Sequence, residues 1–240
     1  MYNNRTIALL MPARNESLSL PVVVVSVPSI VDRVLVLDNG STDDTVRIAR
    51  DYGAEVISEP RPGYGQACLA GMAALMANPP DVVAFADADG SDDLSRLTGL
   101  ITPLVSGQAD FVLANRIPTD PKALTLPQRI GNWLAVRLIY LFWGHKYGDL
   151  GPMRALTWDA FLGLQMKDNN FGWTVEMQIK ALQSGLRIKE IDLLYQPRIA
   201  GHSKISGTLN GVFRAGTSIL WVIIREAFQE RWDKLAMMYK

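Results

Sequence analysis

Residues 82–91 read Val-Val-Ala-Phe-Ala-Asp-Ala-Asp-Gly-Ser, an apolar run that ends in two carboxylates one residue apart. The apolar part, 82–86, predicts a short strand buried within a sheet. A chain that turns out of the sheet at this point brings both Asp87 and Asp89 to one ligand. The stretch therefore predicts a strand end that presents a pair of acidic side chains.

A pair of carboxylates at a strand end is suited to a divalent cation. Mg²⁺ and Mn²⁺ are usually held by one or two protein oxygens together with substrate phosphates, so Asp87 and Asp89 are candidate metal ligands. In a plainer interpretation the acidic loop only caps the next helix, with Asp92 or Asp93 as its N-cap. The short motif alone does not separate these two interpretations.

Apolar, β-rich runs alternate with helical patterns on both sides of this strand. Such alternation indicates an α/β fold with a mostly parallel sheet and right-handed crossovers, in which ligands bind at the carboxyl ends of the strands. The predicted strands are 6–11, 34–37, 55–58, 82–86 and 111–114, and the predicted helices lie near 17–27, 43–52, 65–77 and 93–105.

The composition of the 240-residue chain is that of one folded domain, 48% hydrophobic and 20% charged. Lys plus Arg and Asp plus Glu each count 24, so the basic excess of a nucleic-acid-binding protein is absent and no nucleic-acid partner is expected. A single cysteine, Cys68, excludes a disulfide within the chain and fits a reducing compartment. The first residues lack the pattern of a signal peptide, and we expect a cytoplasmic location.

Further polar clusters follow the first two predicted strands. Residues 12–16 read Pro-Ala-Arg-Asn-Glu, and residues 38–43 read Asp-Asn-Gly-Ser-Thr-Asp. Each cluster alone can be a turn with a helix cap, because Asn-Gly readily takes positive φ and Ser or Thr caps well. In a parallel sheet both clusters share one edge with the acidic pair. Residues 62–65, Pro-Gly-Tyr-Gly, add two glycines before a helix, where backbone N–H groups can approach an anion.

Eight segments together carry a resemblance to a known family. They are MPARNE at 11–16, VLDNGSTDDT at 36–45, RPGYGQA at 61–67, DADGSDD at 87–93, LANR at 113–116, DLGPMR at 149–154, FGWTVEM at 171–177 and PRIAGHSKISGT at 197–208. In this order they resemble the family 2 nucleotide-sugar glycosyltransferases, whose GT-A fold is a Rossmann-like sheet flanked by helices. The later segments are similar to the branch with dolichyl-phosphate mannose and glucose synthases and their bacterial polyprenyl-phosphate relatives.

The resemblance implies a pocket for a UDP- or GDP-sugar at this edge. It implies Mg²⁺ or Mn²⁺ held by Asp87 and Asp89, bridging the diphosphate that leaves. Many relatives have Gln or His after the acidic pair, whereas this chain has Gly90 and Ser91, so a third ligand is Ser91, a water or none. The residues implied to bind the donor are Pro12, Ala13, Arg14, Asn15, Glu16, Asp38, Asn39, Gly40, Gly63, Gly65, Asp87, Ala88 and Asp89, with Asp38 near the base.

Family 2 enzymes invert the anomeric centre by in-line attack, and the acceptor decides whether a base is needed. A sugar hydroxyl requires a carboxylate to take its proton, for which Glu176 and Asp149 are candidates by their position in the motifs. A lipid phosphate is already ionised and needs only alignment and charge screening. The resemblance implies these catalytic residues: Asp89, Arg116, Asp149, Glu176, Arg198 and Lys204, with His202 outside the metal site.

The C-terminal part predicts an amphipathic helix over 207–231. One stripe is expected to pack on the rest of the protein, and it consists of Leu209, Val212, Phe213, Gly216, Leu220, Ile223 and Ala227. Another face combines Trp221 with Arg214 and Arg225, as interfacial helices do. The apolar run 219–224 is far shorter than the roughly 20 residues that span a bilayer. A second aromatic helix is predicted over 133–143.

These observations predict a catalytic domain over 1–206 and a helical extension over 207–240 packed on it. The predicted activity is inverting, metal-dependent transfer of a hexose from a UDP- or GDP-sugar to a polyprenyl (dolichyl-type) phosphate, with peripheral contact at the inner face of the membrane. The alternatives are transfer to a soluble saccharide or small phosphorylated acceptor and, from another class, a non-catalytic nucleotide-sugar-binding subunit. The sequence does not decide whether the protein forms a homo-oligomer.

Overall fold

The computed structural model describes residues 1–201 and 209–238 and has a seven-stranded sheet at its centre. The strands are β1 (Ile7–Ala13), β2 (Arg33–Asp38), β3 (Glu55–Ser58), β4 (Val82–Phe85), β5 (Phe111–Pro118), β6 (Arg154–Thr157) and β7 (Ile188–Tyr195). Their order in the sheet is β3-β2-β1-β4-β6-β5-β7. Only β6 runs antiparallel to its neighbours β4 and β5, so the sheet is mostly parallel, as the alternation of strands and helices predicts.

Helices connect the strands and cover both faces of the sheet. They are α1 (Leu20–Val25), α2 (Thr45–Asp51), α3 (Tyr64–Leu75), α4 (Leu97–Val105), α5 (Leu126–Trp143), α6 (Trp158–Gly163), α7 (Trp173–Gln183) and α8 (Leu209–Met238). A single 3₁₀ turn over Leu94–Arg96 precedes α4, and Asp93 caps this turn by accepting a hydrogen bond from the Ser95 backbone N–H. Of the two N-cap residues predicted for the acidic loop, Asp93 is the one that caps a helix.

Strand β1 is buried in the sheet, and its carboxyl end is fixed by pairing with β2. Ile7, Leu9 and Met11 lie in one buried layer, whereas Ala8 and Leu10 lie in the other, so the strand is covered on both faces. The strand continues two residues beyond the predicted end because Pro12 and Ala13 pair in parallel register with the last residues of β2. The carboxyl ends of the two strands thus lie side by side.

Several elements differ from their sequence-based prediction. Strand β5 extends to Pro118 because it pairs along its whole length with β7, which was not predicted, and neither was β6. Helix α5 begins seven residues before position 133, where Gln128 accepts a hydrogen bond from the Thr125 backbone N–H and caps the helix. These differences share one cause: each element is extended by a hydrogen-bonding residue or strand that lies outside the predicted segment.

Helix α8 packs on α5 and α7. Val222 and Ile223 are fully buried in the same apolar layer as one face of the sheet, and Glu226 and Ala227 lie beside them. Phe213 was expected in the packing stripe, but 70% of its surface is exposed, so that expectation is wrong. Within the described part of the chain, none of the helices combines the length and hydropathy needed to cross a membrane.

Candidate active site

A cavity of about 470 Å³ opens at the carboxyl ends of β1 and β4. Most of the residues predicted to bind a donor or to act in catalysis contribute to its wall. They are Pro12, Ala13, Arg14, Glu16, Asn39, Gly63, Asp87, Ala88, Asp89, Arg116 and Arg198. The parallel order of the strands brings these segments together, as expected from their positions after strand ends.

The acidic pair lies where β4 leaves the sheet. Asp87 Oδ1 accepts a hydrogen bond from the Tyr64 hydroxyl at 3.3 Å, and Asp89 Oδ1 accepts one from the Ser91 backbone N–H at 2.9 Å. Burial raises the pKa of Asp87 well above its ordinary value, and the nearby charges of Asp89 and Asp92 raise it further. Crowded carboxylates of this kind favour a cation beside them.

The residues present fit a hard divalent cation. The oxygen atoms of Asp87 and Asp89 are the ligand type that Mg²⁺ and Mn²⁺ prefer. Across 1–201 and 209–238, no three His, Cys, Asp or Glu side chains form a group that could hold a metal ion. Oxygen atoms of a substrate phosphate or of water are ligands of the same type and are commonly found beside such a carboxylate pair. Ser91 is buried and lies outside the cavity wall, which argues against it as a third ligand.

Asp92 and Gly90 shape the turn that carries the acidic pair. Asp92 Oδ2 accepts a hydrogen bond from the Asp87 backbone N–H at 3.1 Å, and burial raises the pKa of Asp92. Gly90 has φ +78°, and a Cβ there would lie 2.3 Å from Cδ1 of Ile199. A glycine at this position therefore permits both the turn and the close approach of the segment that contains Arg198.

Arg198 lies between two acidic groups of the cavity. Its Nη2 donates to both carboxylate oxygens of Glu16, at 2.6 and 2.8 Å, and its Nη1 is 3.6 Å from Asp89 Oδ2. The guanidinium thus lies beside the acidic pair, where it can contact phosphate oxygens of a ligand. Lys204 and His202, which belong to the same sequence segment, lie outside the described residues.

Arg116 and Asp149 form a buried ion pair next to the cavity. Arg116 donates from Nε at 2.6 Å and from Nη2 at 2.9 Å, which occupies both oxygens of Asp149. The guanidinium also lies over the ring of Tyr195, 5.2 Å from its centroid. Arg116 lines the cavity at the carboxyl ends of β1 and β4, here named the donor-side cavity, and also a second cavity of about 630 Å³, whose wall includes Asp149 and Arg129. The ion pair therefore belongs to the wall between two cavities.

Glu176 does not reach either cavity. It is fully buried in the first turn of α7, and its carboxylate accepts hydrogen bonds from the backbone N–H groups of Lys167 and Asp168. Lys180 and Arg225 add two cations, each 3.0 Å from Glu176 Oε1. Glu176 is therefore not an acid on the helix surface, and the geometry gives it no access to an acceptor hydroxyl.

Three residues implied to bind the nucleotide lie at the carboxyl end of β2 or in the loops that follow β1 and β2, and their role toward a nucleotide stays a prediction. Asn15 Oδ1 accepts a hydrogen bond from the Thr42 backbone N–H at 2.7 Å, and Asp38 Oδ1 accepts one from the Ser41 backbone N–H at 3.1 Å. Gly40 takes the positive φ of the turn, +72°. None of the three contributes to the cavity wall. Here the turn interpretation describes the observed contacts.

Gly63 and Gly65 are needed for close packing against the segment 168–169. A Cβ at Gly63 or Gly65 would lie 2.1 Å from a backbone oxygen of the segment 168–169. The N–H of Gly63 donates to Asn39 Oδ1 at 2.8 Å, and that of Gly65 donates to the Asn170 carbonyl at 3.2 Å. Both N–H groups thus have protein partners, and their expected approach to an anion stays a prediction.

Other residues of the cavity wall were not predicted. They are Pro62, Tyr64, Ala67, Gln128, Asn170, Phe171, Tyr195, Gly211 and Arg214. Pro62, Tyr64, Ala67 and Phe171 lie inside the sequence segments that carry the family resemblance, and this position was the signal that could have identified them. Arg214 was assigned to the outer face of the C-terminal helix, but the first turns of α8 reach the cavity. Only the packing of that helix could show this.

A mostly parallel α/β sheet whose strand ends present an acidic pair beside arginines is the architecture of a nucleotide-diphosphate-binding enzyme. The family model described as "Glycosyl transferase family 2" matches residues 8–161. The chain belongs to this family, and it is a glycosyltransferase.

Two relatives extend the likeness over most of the chain. An uncharacterised glycosyltransferase of Mycobacterium tuberculosis is 38% identical over 205 residues, covering 85% of this chain and 92% of that protein. A dolichyl-phosphate hexose transferase of Haloferax volcanii is 28% identical over 228 residues, covering 94% of this chain and 97% of that protein.

A solved structure has the same fold. It is the glucosyl-3-phosphoglycerate synthase of Mycobacterium tuberculosis in complex with Mn²⁺, UDP-glucose and phosphoglyceric acid, with a TM-score of 0.74 and 22% identity. The match covers 93% of this chain and 80% of that one. The predicted GT-A fold is confirmed.

Proposed function

We propose that this protein transfers a hexose from a UDP- or GDP-sugar to a polyprenyl phosphate, with inversion at the anomeric carbon. The donor diphosphate would occupy the cavity at the ends of β1 and β4, and the acceptor phosphate would approach from the side of Arg116. The likeness to the dolichyl-phosphate hexose transferase over nearly the whole of both chains supports this acceptor class.

Asp87 and Asp89 would hold Mg²⁺ or Mn²⁺, which supplies Lewis-acid stabilisation of the leaving diphosphate when it is bound. The Tyr64 hydroxyl orients Asp87, and the Ser91 N–H orients Asp89. Arg198 lies beside both Asp89 and Glu16 and would screen the negative charge of the diphosphate. The donor is thus bound by groups that complement its charge.

One observation carries the choice of a phosphate acceptor: neither candidate base is available to deprotonate a hydroxyl. Both oxygens of Asp149 are bonded to Arg116, and Glu176 is fully buried outside both cavities. A phosphate monoester is ionised at neutral pH and attacks without a base. Arg116, in the wall shared by the two cavities, would align such an acceptor with the anomeric carbon.

A small phosphorylated acceptor is the second candidate. The second cavity contains Arg116 and Arg129, so its wall can bind a soluble phosphate compound as well as a lipid phosphate. The solved structure with the same fold contains phosphoglyceric acid, a compound of this type. In this case the hydroxyl that attacks would need a base from outside the set of residues discussed above.

The test is release of nucleotide from UDP- and GDP-sugars with Mg²⁺ or Mn²⁺, measured with no acceptor, with a short-chain polyprenyl phosphate and with phosphoglycerate. Release that requires the polyprenyl phosphate supports the proposal. Release only with phosphoglycerate selects the second candidate, and donor binding without any release favours a non-catalytic subunit.

A matched pair of variants tests whether the reaction requires the acidic pair, Asp87 and Asp89. Asp89→Asn removes a charge from the cavity wall and should abolish metal-dependent donor binding and turnover. Asp93→Asn removes a charge from the neighbouring helix cap, outside the wall, and should leave donor binding unchanged. Equal effects of the two substitutions would contradict the assignment of the metal ligands.

A further inference from the structure

We propose that the exposed faces of α5 and α8 form a surface that binds the interface of a bilayer containing anionic lipid. This membrane surface is defined by Leu126, Ile130, Trp133, Tyr140 and Leu141 of α5 and by Phe213, Trp221, Ile224, Phe228 and Trp232 of α8. This surface would bind lipid whether the acceptor of the reaction is a lipid phosphate or a soluble compound.

Helix α8 exposes an aromatic stripe along its described length. Phe213, Trp221, Phe228 and Trp232 are each between 63% and 74% exposed. Their spacing of eight, seven and four residues keeps them on one side of the helix, opposite the buried Val222 and Ile223. Large aromatic side chains arranged in this way are costly in water, and such a surface usually marks a contact.

Helix α5 continues this pattern, since it packs against α8 and also leaves a row of large apolar side chains in solvent. Leu126, Ile130, Trp133, Tyr140 and Leu141 are between 54% and 73% exposed. Tyr and Trp are favoured at membrane interfaces because one end of the ring is apolar and the other polar. Two packed helices thus present the same unusual combination of side chains.

The charged side chains on the exposed faces of α5 and α8 indicate an anionic binding partner. Arg129, Arg137, Arg214 and Arg231 are exposed, and the guanidinium of Arg137 lies 5.1 Å from the ring centroid of Trp133. Helix α5 contains no Asp or Glu. On α8, Glu226 is buried and Glu230 accepts a hydrogen bond from Trp143 Nε1. The exposed charges of the described side chains on these faces are therefore all positive.

Aromatic anchors beside arginines match an anionic lipid surface, because each cation near the headgroups is attracted by the negative surface potential. A second copy of the same surface fits less well, because two such faces would bring arginines against arginines. Since no described helix can cross a bilayer, the contact would be peripheral.

The membrane surface is continuous with the candidate active site. Gln128 of α5 and Gly211 and Arg214 of α8 line the donor-side cavity, so the two helices that expose the aromatic side chains also form part of its wall. A bilayer bound to these helices would lie near the cavity. Arg214 is excluded from the test below because it belongs to both.

The experiment is sedimentation of the full chain with vesicles of phosphatidylcholine alone or mixed with phosphatidylglycerol, both without polyprenyl phosphate. We expect binding to the anionic vesicles that weakens with added salt. The double variant Trp221→Gln with Phe228→Gln should lower the partition coefficient at least about tenfold, since it removes two apolar anchors. Arg137→Gln with Arg231→Gln should weaken binding to the anionic vesicles only.

Two matched controls keep the result specific. Val25 and Met76 are exposed apolar side chains elsewhere, so Val25→Gln with Met76→Gln should bind as the unmodified chain does. Arg47→Gln with Arg50→Gln removes exposed cations from α2 and should also have no effect. Absence of vesicle binding, or equal losses in test and control variants, would overturn the proposal.

Light scattering in the absence of lipid gives the remaining outcome. A stable dimer that dissociates in the Trp221→Gln and Phe228→Gln variant, without vesicle binding by either form, would show that the face is an interface between copies and would also overturn the proposal. Because the vesicles contain no acceptor, a chain that binds them but fails in the transfer assay would refute only the proposed function.

Discussion

The carboxylates of Asp87, in the cavity wall, and of the fully buried Glu176 have opposite electrostatic surroundings. Glu176 accepts hydrogen bonds and has two cations beside it, so its charge is compensated within the protein. Asp87 has Asp89 and Asp92 as neighbours, and its pKa is raised. Glu176 therefore stabilises the structure, whereas the charge of Asp87 is not fully compensated within the protein and favours a bound cation.

The first prediction concerns pH. Because the pKa values of Asp87 and Asp92 are raised in the folded protein, these groups stabilise the fold most at low pH, and the contribution is lost as pH rises through their folded pKa. A divalent cation binds the ionised carboxylates, so the increase in Tm caused by Mn²⁺ should grow from acidic to mildly alkaline pH. A Tm increase that is the same at every pH would contradict this.

The second prediction separates a structural role for Glu176 from a role as base. Glu176→Gln leaves Arg225 and Lys180 without a buried carboxylate, so the free energy of unfolding measured in urea should fall by about 3 kcal/mol. The pH profile of kcat should keep its shape. Glu55→Gln, which breaks the exposed pair with Arg33, should cost about 1 kcal/mol or less. A loss of kcat of about 10²-fold or more in a folded Glu176→Gln protein would restore the base hypothesis.

At the scale of elements, a chain of contacts joins α8 to the start of α3. Arg225 of α8 bonds to Glu176 of α7, and Glu176 holds the backbone of 167–168. The carbonyls of 169–170 then accept hydrogen bonds from the N–H groups that begin α3. Asn170 and Phe171 of the same segment line the donor-side cavity. Glu176 is therefore a positioning residue for that wall.

The third prediction tests the packing at the start of α3. Gly65→Ala places a Cβ 2.1 Å from the Asp168 carbonyl oxygen, so the free energy of unfolding should fall by about 1 to 3 kcal/mol and the KM for the donor should rise. Gly99→Ala, in an exposed position of α4 with no atom within 4 Å, should instead raise stability by roughly 0.5 to 1 kcal/mol. Similar changes in both variants would show that the close approach has no energetic consequence.

Strands and helices differ in how well local patterns indicate them. Strands β1, β2 and β4 are short apolar runs with residues buried on both faces, and such runs are visible without a partner, whereas the edge strand β3 has no buried residue. Strand β7 pairs only with β5 and mixes charged with apolar residues without a regular alternation, so its pattern is weak on its own. The length of β5 follows from that pairing, which explains why its predicted end was too early.

At the scale of the whole molecule, α8 links three features: the apolar layer, the buried charge of Glu176 and the cavity wall. Val222 and Ile223 each contribute about 1.5 to 3 kcal/mol of burial. Removing Arg225 as well leaves a buried carboxylate with one cation fewer, which typically costs a further 3 to 5 kcal/mol. Total stabilities are about 5 to 15 kcal/mol. We therefore propose that the extension over 207–240 is not separable from the domain over 1–206.

The fourth prediction follows from the large share of the total stability that contacts of α8 contribute. A chain that ends at residue 206 should be unfolded or should unfold at a much lower urea concentration than the full chain, as measured by circular dichroism. A substitution pair on the exposed face, Trp221→Gln with Phe228→Gln, should leave the unfolding midpoint nearly unchanged, since both side chains lie in solvent. A truncated chain with an unaltered midpoint would show that the two segments are independent.

The sequence by itself determined the α/β class, the family and the edge of the sheet at which the site lies. Apolar runs that end in polar clusters define strand ends, and parallel strands bring those ends together, so Asp87 and Asp89 could be assigned from local pattern. Only the tertiary structure decided that Glu176 is buried, that Gly63 and Gly65 serve packing and that Arg214 reaches the cavity. Each of these depends on contact between segments far apart in the chain, such as Glu176 with Arg225, and no local spacing of residues encodes such a contact.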